Sequence, residues 1–483
     1  MRRLRRIKIL ATLGPASSDG AVIRRLFEAG ADVFRINMSH TSHDKMRELV
    51  ATIREVESTY GRPIGILIDL QGPKLRIGAF AEGSIQLKNG DNFILDQDST
   101  PGNNSRVQLP HPEILAALRP GHTLLLDDGK VCLVAEETSS NRAVTRVVIG
   151  GRMSDRKGVS LPDTDLPVSA MTPKDHADLE AALKMDIDWI ALSFVQRGSD
   201  IVEAKKIIGG RANVMAKIEK PQAIGRLAEI VEESDALMVA RGDLGVELPL
   251  ERVPGLQKQM MRMARIAGKP VVVATQMLES MIQSPVPTRA EVSDVATAIY
   301  EGADAIMLSA ESAAGKFPVE AVATMNRIGE EVESDPAYRD IINAQRAVAS
   351  PTVGYAIADA ARQIAETLDL SALICWTSSG STALRVARER PRPPVVAITP
   401  NLATARKLSL TWGVHCVVAE DAHDHHDMVE RAGLIALSDG FAKAGQRVIV
   451  VSGIPLGKSG TTNMLRIADV TPKETQIPAA IIG

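Results

Sequence analysis

Three charged residues lie at or just after the ends of two predicted strands, and their types suit phosphate chemistry. Lys217 lies in the strand 213–218, and Glu219 comes directly after it. Because side chains alternate along a strand, Lys217 and Glu219 point the same way, and Asp243, after the strand 236–240, can lie alongside them. A divalent cation between the two carboxylates removes their repulsion and leaves positions for a substrate phosphate. The pattern predicts a Mg2+ site beside a fixed cation; the alternative is a buried structural ion pair.

Other polar residues gather at predicted strand ends. Arg35, Asn37 and Ser39 are spaced i, i+2 and i+4, and they share a face if their strand continues to Ser39. Asp69 ends the next strand, and Arg76 follows the turn after it. Each residue alone is more typical of a polar loop. Together, at the face where barrel enzymes carry their active sites, they indicate a phosphate-binding site.

A hydroxyl and two backbone amides could receive a carboxylate nearby. Thr275 ends the seventh predicted strand, where its hydroxyl can face a substrate or bond to local backbone. The Gly242 and Asp243 backbone N–H groups can approach an anion, especially if a short helix begins there. Beside Glu219, these backbone amides are predicted to form a binding site for a substrate carboxylate.

The composition is that of a globular protein with more than one domain. The 483 residues suggest two to four domains, with 45% apolar and 24% charged residues. A net charge of -3 and 3% aromatic residues argue against a nucleic-acid or anionic-membrane partner. With no apolar run near the roughly 20 residues that span a bilayer, a cytoplasmic location is expected. Three widely spaced cysteines support neither a disulfide framework nor a cysteine metal site.

Short β-branched runs alternate with amphipathic segments and predict parallel β/α units. We expect a (β/α)8 barrel formed by residues 1–71 and 169–343. Its predicted strands cover residues 7–13, 32–37, 64–70, 189–194, 214–218, 236–240, 270–275 and 305–309.

Two further domains are predicted. Residues 72–168 contain short alternating segments separated by turns such as 88–91 and 127–129, which favours an inserted all-β domain. Because it leaves the barrel at the C-terminal mouth, it can act as a lid. After residues 348–349 the strand pattern resumes at 372–377, 394–399, 414–419 and 447–452, which favours a C-terminal α/β domain over residues 344–483.

The C-terminal domain contains a loop suited to a phosphate group. This loop, between a predicted strand and helix, is Thr377, Ser378, Ser379, Gly380, Ser381 and Thr382. Its hydroxyls, backbone amides and helix dipole favour an anion, and residues 457–462 could form a second wall. The alternative is an ordinary glycine turn before a capped helix. The histidines within 423–426 lack a standard zinc spacing and indicate solvated surface.

Six tracts in order resemble the pyruvate kinase family over essentially the whole chain. They are KILATLGP at 8–15, RINMSH at 35–40, DLQGPK at 69–74, KIEK at 217–220, ARGDLG at 240–245 and ATQMLESM at 274–281. The resemblance implies phosphoryl transfer from phosphoenolpyruvate to ADP, giving pyruvate and ATP, by a homotetramer. It also implies that the C-terminal loop binds a phosphorylated activator such as a sugar phosphate or AMP.

The resemblance assigns roles to matching positions. It implies that Glu219 and Asp243 bind Mg2+, for which Mn2+ can substitute, and that Lys217 stabilises charge on the phosphoryl group and the enolate. The remaining implied roles are a phosphate contact for Arg35, substrate-carboxylate binding for Thr275 and the Gly242–Asp243 backbone, and nucleotide binding for Arg76 and Lys157.

One departure from the family concerns K+. Familiar members hold K+ with oxygens at the positions of Asn37, Ser39, Asp69 and Leu70, and they have Glu where this chain has Lys74. Since Lys74 brings a positive charge and Leu70 brings no side-chain oxygen, the chain resembles the K+-independent branch, and we predict activity without K+. The alternative is that the flexible Lys74 points to solvent and K+ still binds.

Two competing functions remain at this stage. One is another Mg2+-dependent barrel enzyme acting on phosphoenolpyruvate or pyruvate, such as a lyase or mutase, against which Arg76, Lys157 and the lid argue. The other is a catalytically weak metabolite sensor, which the presence of Lys217, Glu219 and Asp243 disfavours.

Overall fold

The computed structural model describes residues 2–346, 350–456 and 460–471. Residues 348–349, where the C-terminal domain was expected to begin, and residues 457–459 of the expected second wall lie outside these ranges. Within them, no helix is both long enough and apolar enough to cross a membrane.

A closed barrel of parallel strands is present, as predicted. With strands numbered along the chain, its order is β1-β16-β15-β14-β13-β12-β3-β2. The barrel strands are β1 (Lys8–Leu13), β2 (Val33–Asn37), β3 (Gly65–Asp69), β12 (Trp189–Leu192), β13 (Asn213–Ile218), β14 (Ala236–Ala240), β15 (Val271–Ala274) and β16 (Ala305–Leu308). Most are buried along their whole length, which explains why they read as continuous apolar runs.

Helices cover the outside of the barrel, and several of them begin at side-chain caps. Thr172 and Asp175 form a capping box at one helix start, and Thr288 and Glu291 form another. The helices are α1 (Gly20–Ala29), α2 (His43–Tyr60), α4 (Pro173–Ala182), α5 (Gly198–Ile208), α6 (Pro221–Gly225), α7 (Leu227–Glu233), α8 (Arg241–Glu247), α9 (Val253–Ala267), α10 (Arg289–Tyr300), α11 (Ala310–Ala313), α12 (Pro318–Ser334) and α13 (Pro336–Ala344), with 3-10 turns at Leu250–Arg252 and Glu279–Ile282.

The inserted segment between β3 and β12 is a β domain with its own hydrophobic core. Its elements are β4 (Ser84–Leu87), β5 (Asn92–Asp96), β6 (Arg106–Gln108), α3 (Pro112–Ala117), β7 (Thr123–Leu126), β8 (Val131–Thr138), β9 (Arg142–Ile149), β10 (Gly151–Ser154) and β11 (Val159–Ser160). The chain enters it past Asp175, whose Oδ1 accepts the backbone N–H groups of Gln71 (2.8 Å) and Gly72 (3.1 Å). The barrel therefore anchors the first residues of the connection to this lid.

The C-terminal domain has a five-stranded sheet in the order β19-β18-β17-β20-β21. Its elements are α14 (Val353–Thr367), β17 (Leu373–Trp376), α15 (Ser381–Arg388), β18 (Val395–Thr399), α16 (Leu402–Leu408), β19 (Val414–Val418), α17 (His425–Ser438), β20 (Arg447–Gly453) and β21 (Thr462–Asp469). β21 runs antiparallel to β20, whereas the other pairs are parallel. The predicted mainly parallel sheet is thus present, with an edge strand that was not predicted.

This domain closes the N-terminal end of the barrel. Leu410 is fully buried among the side chains that fill the barrel interior, including Leu10 and Met307. At the same end, Lys8 Nζ donates to the Val414 carbonyl oxygen at 2.7 Å. The opposite, C-terminal mouth is left for the site residues.

Candidate active site

Lys217 lies at the centre of the barrel mouth, between two carboxylates. Its Nζ is 2.8 Å from Glu219 Oε1 and 3.2 Å from Asp69 Oδ1, and it donates to Ser193 Oγ at 2.7 Å. Burial by itself lowers the pKa of Lys217, but Asp69 and then Glu219 outweigh it and raise that pKa above the usual lysine value. Lys217 is therefore a fixed cation throughout the physiological pH range.

Asp69 joins Lys217 to Arg35. The Asp69 Oδ2 atom is 2.6 Å from Arg35 Nη2 and accepts a hydrogen bond from Nε at 2.7 Å, while Arg35 Nη1 donates to Thr12 Oγ1 at 3.1 Å. Burial raises the pKa of Asp69, but Lys217 and Arg35 lower it by more than burial raises it. The pKa is therefore below the usual value, and the carboxyl stays ionised. A two-pronged contact of this kind orients the guanidinium.

The expected shared face of Arg35, Asn37 and Ser39 does not extend to Ser39. β2 ends at Asn37, whose Oδ1 accepts the Ser39 backbone N–H at 3.0 Å in the turn that follows. The register of β2 and β3 sets Asn37 beside Asp69. The Asn37 side chain thus ends the strand, because an Asx turn competes with further sheet pairing.

Glu219 is held by an unusual backbone conformation. Its Oε2 accepts the Phe194 N–H at 3.0 Å, and Phe194 has a φ of 57°, in the left-handed region that non-glycine residues rarely adopt. A Cβ at Gly72 would lie 2.7 Å from the Phe194 ring, so only glycine is accommodated at that point of the lid connection.

Asp243 lies in the first turn of the short helix α8. Burial raises the pKa of Asp243 to about 6, and the Glu219 charge adds to this shift. A divalent cation removes the unfavourable free energy of placing two negative charges together, because it stabilises the ionised form of both carboxylates. The two oxygen donors are the set that Mg2+ uses when substrate phosphates complete its coordination.

Thr275 is turned towards Gly242. Its φ of 70° and the φ of 54° at Gln276 bend the chain at the end of β15. Thr275 Oγ1 accepts the Gly242 N–H at 2.8 Å and donates to the Ala274 carbonyl oxygen at 2.6 Å. In this conformation the Gly242 N–H is therefore engaged by Thr275, and the local backbone bond anticipated as the alternative for Thr275 is present.

Arg241 supports this turn and was missed by the sequence analysis. Its Nη2 donates to the Thr275 carbonyl oxygen at 2.6 Å, and its Nη1 is 2.8 Å from Asp294 Oδ1. The position of Arg241 directly after β14 could have marked it as a site residue. Its partner Asp294, 53 residues away, could not be inferred from the sequence.

A cavity of about 310 Å3 separates the barrel carboxylates from the lid. Glu219 and Asp243 line it from the barrel, and Lys74, Arg76 and Lys157 line it from the inserted segment. Two of these positively charged side chains make polar contacts within the inserted segment. Lys157 Nζ is 2.9 Å from Asp127 Oδ1, and Arg76 Nη1 donates to the Arg156 carbonyl oxygen at 2.9 Å.

Lys74 lines the same cavity as the predicted metal ligands. Partial burial lowers the pKa of Lys74, and the charges of Arg76 and Lys217 lower it further, against the opposing effects of Asp243 and Glu219. Lys74 is exposed, so solvent screens its charge.

A buried ion pair in the wall of the cavity was also not predicted. Lys220 pairs with Glu247, both side chains are nearly inaccessible, and Lys220 Nζ lies 4.8 Å from the centre of the Phe194 ring. Nothing in the local sequence pairs these two residues. The pair packs against the residue that positions Glu219.

The C-terminal loop 377–382 forms a small cleft of about 30 Å3 with the start of β21. The Thr377 Oγ1 atom accepts the Gly380 N–H at 3.0 Å, and the hydroxyls of Thr382 and Thr462 are 2.8 Å apart. Arg385 donates to Thr462 Oγ1 at 2.8 Å. Ser378, Ser379 and Ser381 also line the cleft, and so does Asp421.

In the described part of the chain, no group of three or more His, Cys, Asp or Glu residues is arranged to hold a metal ion. This holds for the histidines within 423–426 as well.

Comparisons with known proteins agree on one family. The models for the pyruvate kinase barrel domain and the pyruvate kinase alpha/beta domain match residues 4–322 and 355–468. A pyruvate kinase of Methylorubrum extorquens is 62% identical over 99% of this chain and 100% of its own length, and one of Agrobacterium vitis is 48% identical over 97% and 99%. The crystal structure of a pyruvate kinase from Cryptosporidium parvum superposes with a TM-score of 0.91 at 32% identity, covering 97% of this chain and 96% of its own. The chain belongs to the pyruvate kinase family of phosphotransferases.

Proposed function

We propose that this chain transfers the phosphoryl group of phosphoenolpyruvate to ADP, giving pyruvate and ATP in the last step of glycolysis. The observation that carries the proposal is the position of Lys217, in contact with both Glu219 and Asp69. It sits beside Arg35 and a cavity that the lid helps to enclose. Phosphoryl transfer needs mainly positioned reactants and neutralised charge, which such a cluster supplies.

Glu219 and Asp243 are the proposed protein ligands of Mg2+, for which Mn2+ can substitute. The support is that both carboxylates line the cavity, where burial and the neighbouring Glu219 charge raise the pKa of Asp243. When bound, the metal supplies positive charge to the phosphoryl oxygens.

Lys217 and Arg35 are the proposed cations for the transferred phosphoryl group and the enolate. Both are already oriented by Asp69, so little reorganisation is needed when negative charge develops. Because Lys217 keeps its proton, we assign it a stabilising charge and not proton transfer. Protonation of the enolate is assigned to a water near Thr275.

Thr275 and the backbone at Gly242 and Asp243 are the proposed substrate-carboxylate site. For this to happen the Gly242 N–H must exchange its present acceptor, Thr275 Oγ1, for a carboxylate oxygen. The N-terminal end of α8 gives the amides a favourable direction.

Arg76 and Lys157 are the proposed nucleotide contacts, since both face the barrel carboxylates across the cavity. Lys74 is proposed to replace K+, because its positively charged side chain lines the same cavity as Glu219 and Asp243. Asn37, Ser39 and Asp69 are then the surroundings of a monovalent-cation site that catalysis does not require.

Regulation, assembly and organisation complete the proposal. A sugar phosphate or AMP is proposed to bind the loop 377–382 as an activator. The homotetramer, the cytoplasmic location and the domain limits at 71/72, 168/169 and 343/344 also remain proposals.

The direct test is the initial rate of pyruvate formation from phosphoenolpyruvate, ADP and Mg2+ in K+-free buffer. We expect a fast rate that added K+ does not change and that chelation of divalent cations abolishes. Absence of turnover in every condition, including with sugar phosphates and AMP, would reject the proposed activity. Activity that appears only with K+ would keep the reaction and reject the role of Lys74.

A further inference from the structure

Lys220 and Glu247 form an ion pair in the wall of the candidate active-site cavity. Their side chains are only 4% and 3% exposed, and the ammonium contacts Glu247 Oε1. Removing two charges from water often costs more free energy than their attraction returns, so a buried pair is weak evidence for a role in stability. The best-attested use of such pairs is to fix the relative position of the segments that carry them.

The two partners belong to the two segments that carry the proposed metal ligands. Lys220 directly follows Glu219, just beyond the end of β13. Glu247 is the last residue of α8 and lies four residues after Asp243, so the two acids share one face of the helix. The ion pair therefore joins the Glu219 segment to the Asp243 helix, and all four residues line the same cavity.

Lys220 also packs against the residue that binds Glu219. Its Nζ lies 4.8 Å from the centre of the Phe194 ring, a distance at which an aromatic ring attracts a cation. The Phe194 N–H donates to Glu219 Oε2 at 3.0 Å. The left-handed backbone of Phe194, with a φ of 57°, costs free energy and persists only where neighbouring groups hold it. Lys220 is one of these neighbours.

We propose that the Lys220–Glu247 pair is a brace that positions Glu219 and Asp243 for a divalent cation. The brace presupposes the proposed function, which assigns the metal to these two carboxylates. Lys220 and Glu247 are given no contact with metal or substrate, so both are positioning residues. Groups that orient metal ligands from outside the coordination shell typically contribute about 10- to 100-fold to metal affinity.

A brace and a purely electrostatic role differ in what they predict. A cation beside a metal site repels the metal, and an additional carboxylate attracts it. The double variant Lys220→Met/Glu247→Leu removes one charge of each sign, so the net charge of the site is unchanged and a loss of metal affinity reports position. Because apolar residues replace the whole buried pair, its unfolding temperature is expected to stay the same or rise.

The test measures Mn2+ binding to the full-length protein from the electron paramagnetic resonance signal of free Mn2+. Wild type is compared with Lys220→Met/Glu247→Leu and with Lys184→Met/Glu180→Leu, the same two changes at an exposed ion pair. We expect the Kd for Mn2+ to rise at least about tenfold in the first variant and to stay unchanged in the control. The Mg2+ concentration that gives half the maximal rate of pyruvate formation should rise by a similar factor.

Asp243→Asn distinguishes failure of the brace from failure of the proposed function, because it removes a proposed metal ligand. If wild type binds no Mn2+, or if Asp243→Asn binds it as well as wild type, the assigned ligands and the brace are both rejected. If Asp243→Asn loses Mn2+ binding while Lys220→Met/Glu247→Leu binds like wild type, the ligands stand and only the brace is rejected.

Glu247→Asp replaces the double variant if that protein does not fold. It keeps both charges and shortens the acidic partner by one methylene group, so the contact with Lys220 is loosened without a change in net charge. Weaker Mn2+ binding is again expected, and a Kd equal to that of wild type would overturn the proposal.

Discussion

The two halves of the candidate active site are built differently. In the inner half, Lys217, Asp69, Arg35 and Glu219 are locked together, with side-chain exposures of 12% for Lys217 and 1% for Asp69. In the lid half, Lys157 is 36% exposed, and its ion pair with Asp127 is short but open to solvent. Buried charges act in a low dielectric, whereas exposed pairs are screened and contribute little. The inner half is therefore expected to determine the rate of the chemical step and the lid half the affinity for nucleotide.

Removal of the central cation is the strongest test of this difference. Lys217→Met is expected to lower kcat by about 100- to 1000-fold, corresponding to the roughly 3–4 kcal/mol that one such electrostatic contact contributes to a barrier. KM for ADP should change little, because the lid half is untouched. Steady-state kinetics at saturating Mg2+ measures both constants.

Lys184→Met is the matched control, since Lys184 is an exposed lysine in a surface pair with Glu180. Its kinetics should equal those of wild type. A kcat for Lys217→Met within tenfold of wild type would contradict the proposed charge role.

The next largest effect is expected at Asp69. Asp69→Asn removes the negative charge between Lys217 and Arg35, and we expect it to destabilise the barrel by about 1–3 kcal/mol near pH 7. Because the folded-state pKa of Asp69 is lowered, its stabilising contribution is present above the unfolded pKa near 4 and is lost as the pH falls through the folded value. Urea unfolding from pH 7 to pH 3 should show the variant's deficit shrinking with acid. A deficit independent of pH would show that the carboxylate charge is not what stabilises this cluster.

The same contrast explains what the sequence could reveal. Strand ends such as Lys217 and Asp69 were predictable because barrel strands are buried runs, and their C-terminal ends meet at one mouth. The lid connection at Gly72 was visible as a turn, but its contact with the Phe194 ring depends on tertiary packing.

Partners distant in sequence could not be inferred. The direction of the Thr275 hydroxyl follows from a left-handed backbone at the strand end, which side-chain alternation does not describe. The Lys220–Glu247 pair, the Arg241–Asp294 pair and the insertion of Leu410 into the barrel all join segments through the fold. Single-sequence patterns carry periodicity, not these pairings.

Lys74 lines the cavity between the inner half and the lid half, so a variant at this position tests to which half its charge contributes. Lys74→Glu exchanges a positive for a negative charge close to Glu219 and Asp243, and we expect kcat in K+-free buffer to fall about tenfold, a screened charge effect of roughly 1.4 kcal/mol. Added K+ should restore part of the rate in this variant only. Lys88→Glu, the same change at an exposed lid lysine outside the cavity, is the control. Equal K+ responses in wild type and Lys74→Glu would reject the substitution of K+ by Lys74.

The smallest effects are expected at the lid, where the sign is more informative than the size. Lys157→Ala should raise KM for ADP by about 2–5-fold with kcat nearly unchanged, as expected for an exposed ion contact. Asp127→Asn should lower KM by a similar factor, because it releases Lys157 from its present partner at 2.9 Å for the nucleotide. Asn is suited to this position, since Asp127 has a φ of 52° and Asn tolerates left-handed backbone. If both variants change KM in the same direction, the Lys157–Asp127 pair does not compete with ADP, and Asp127 instead holds Lys157 in its binding position.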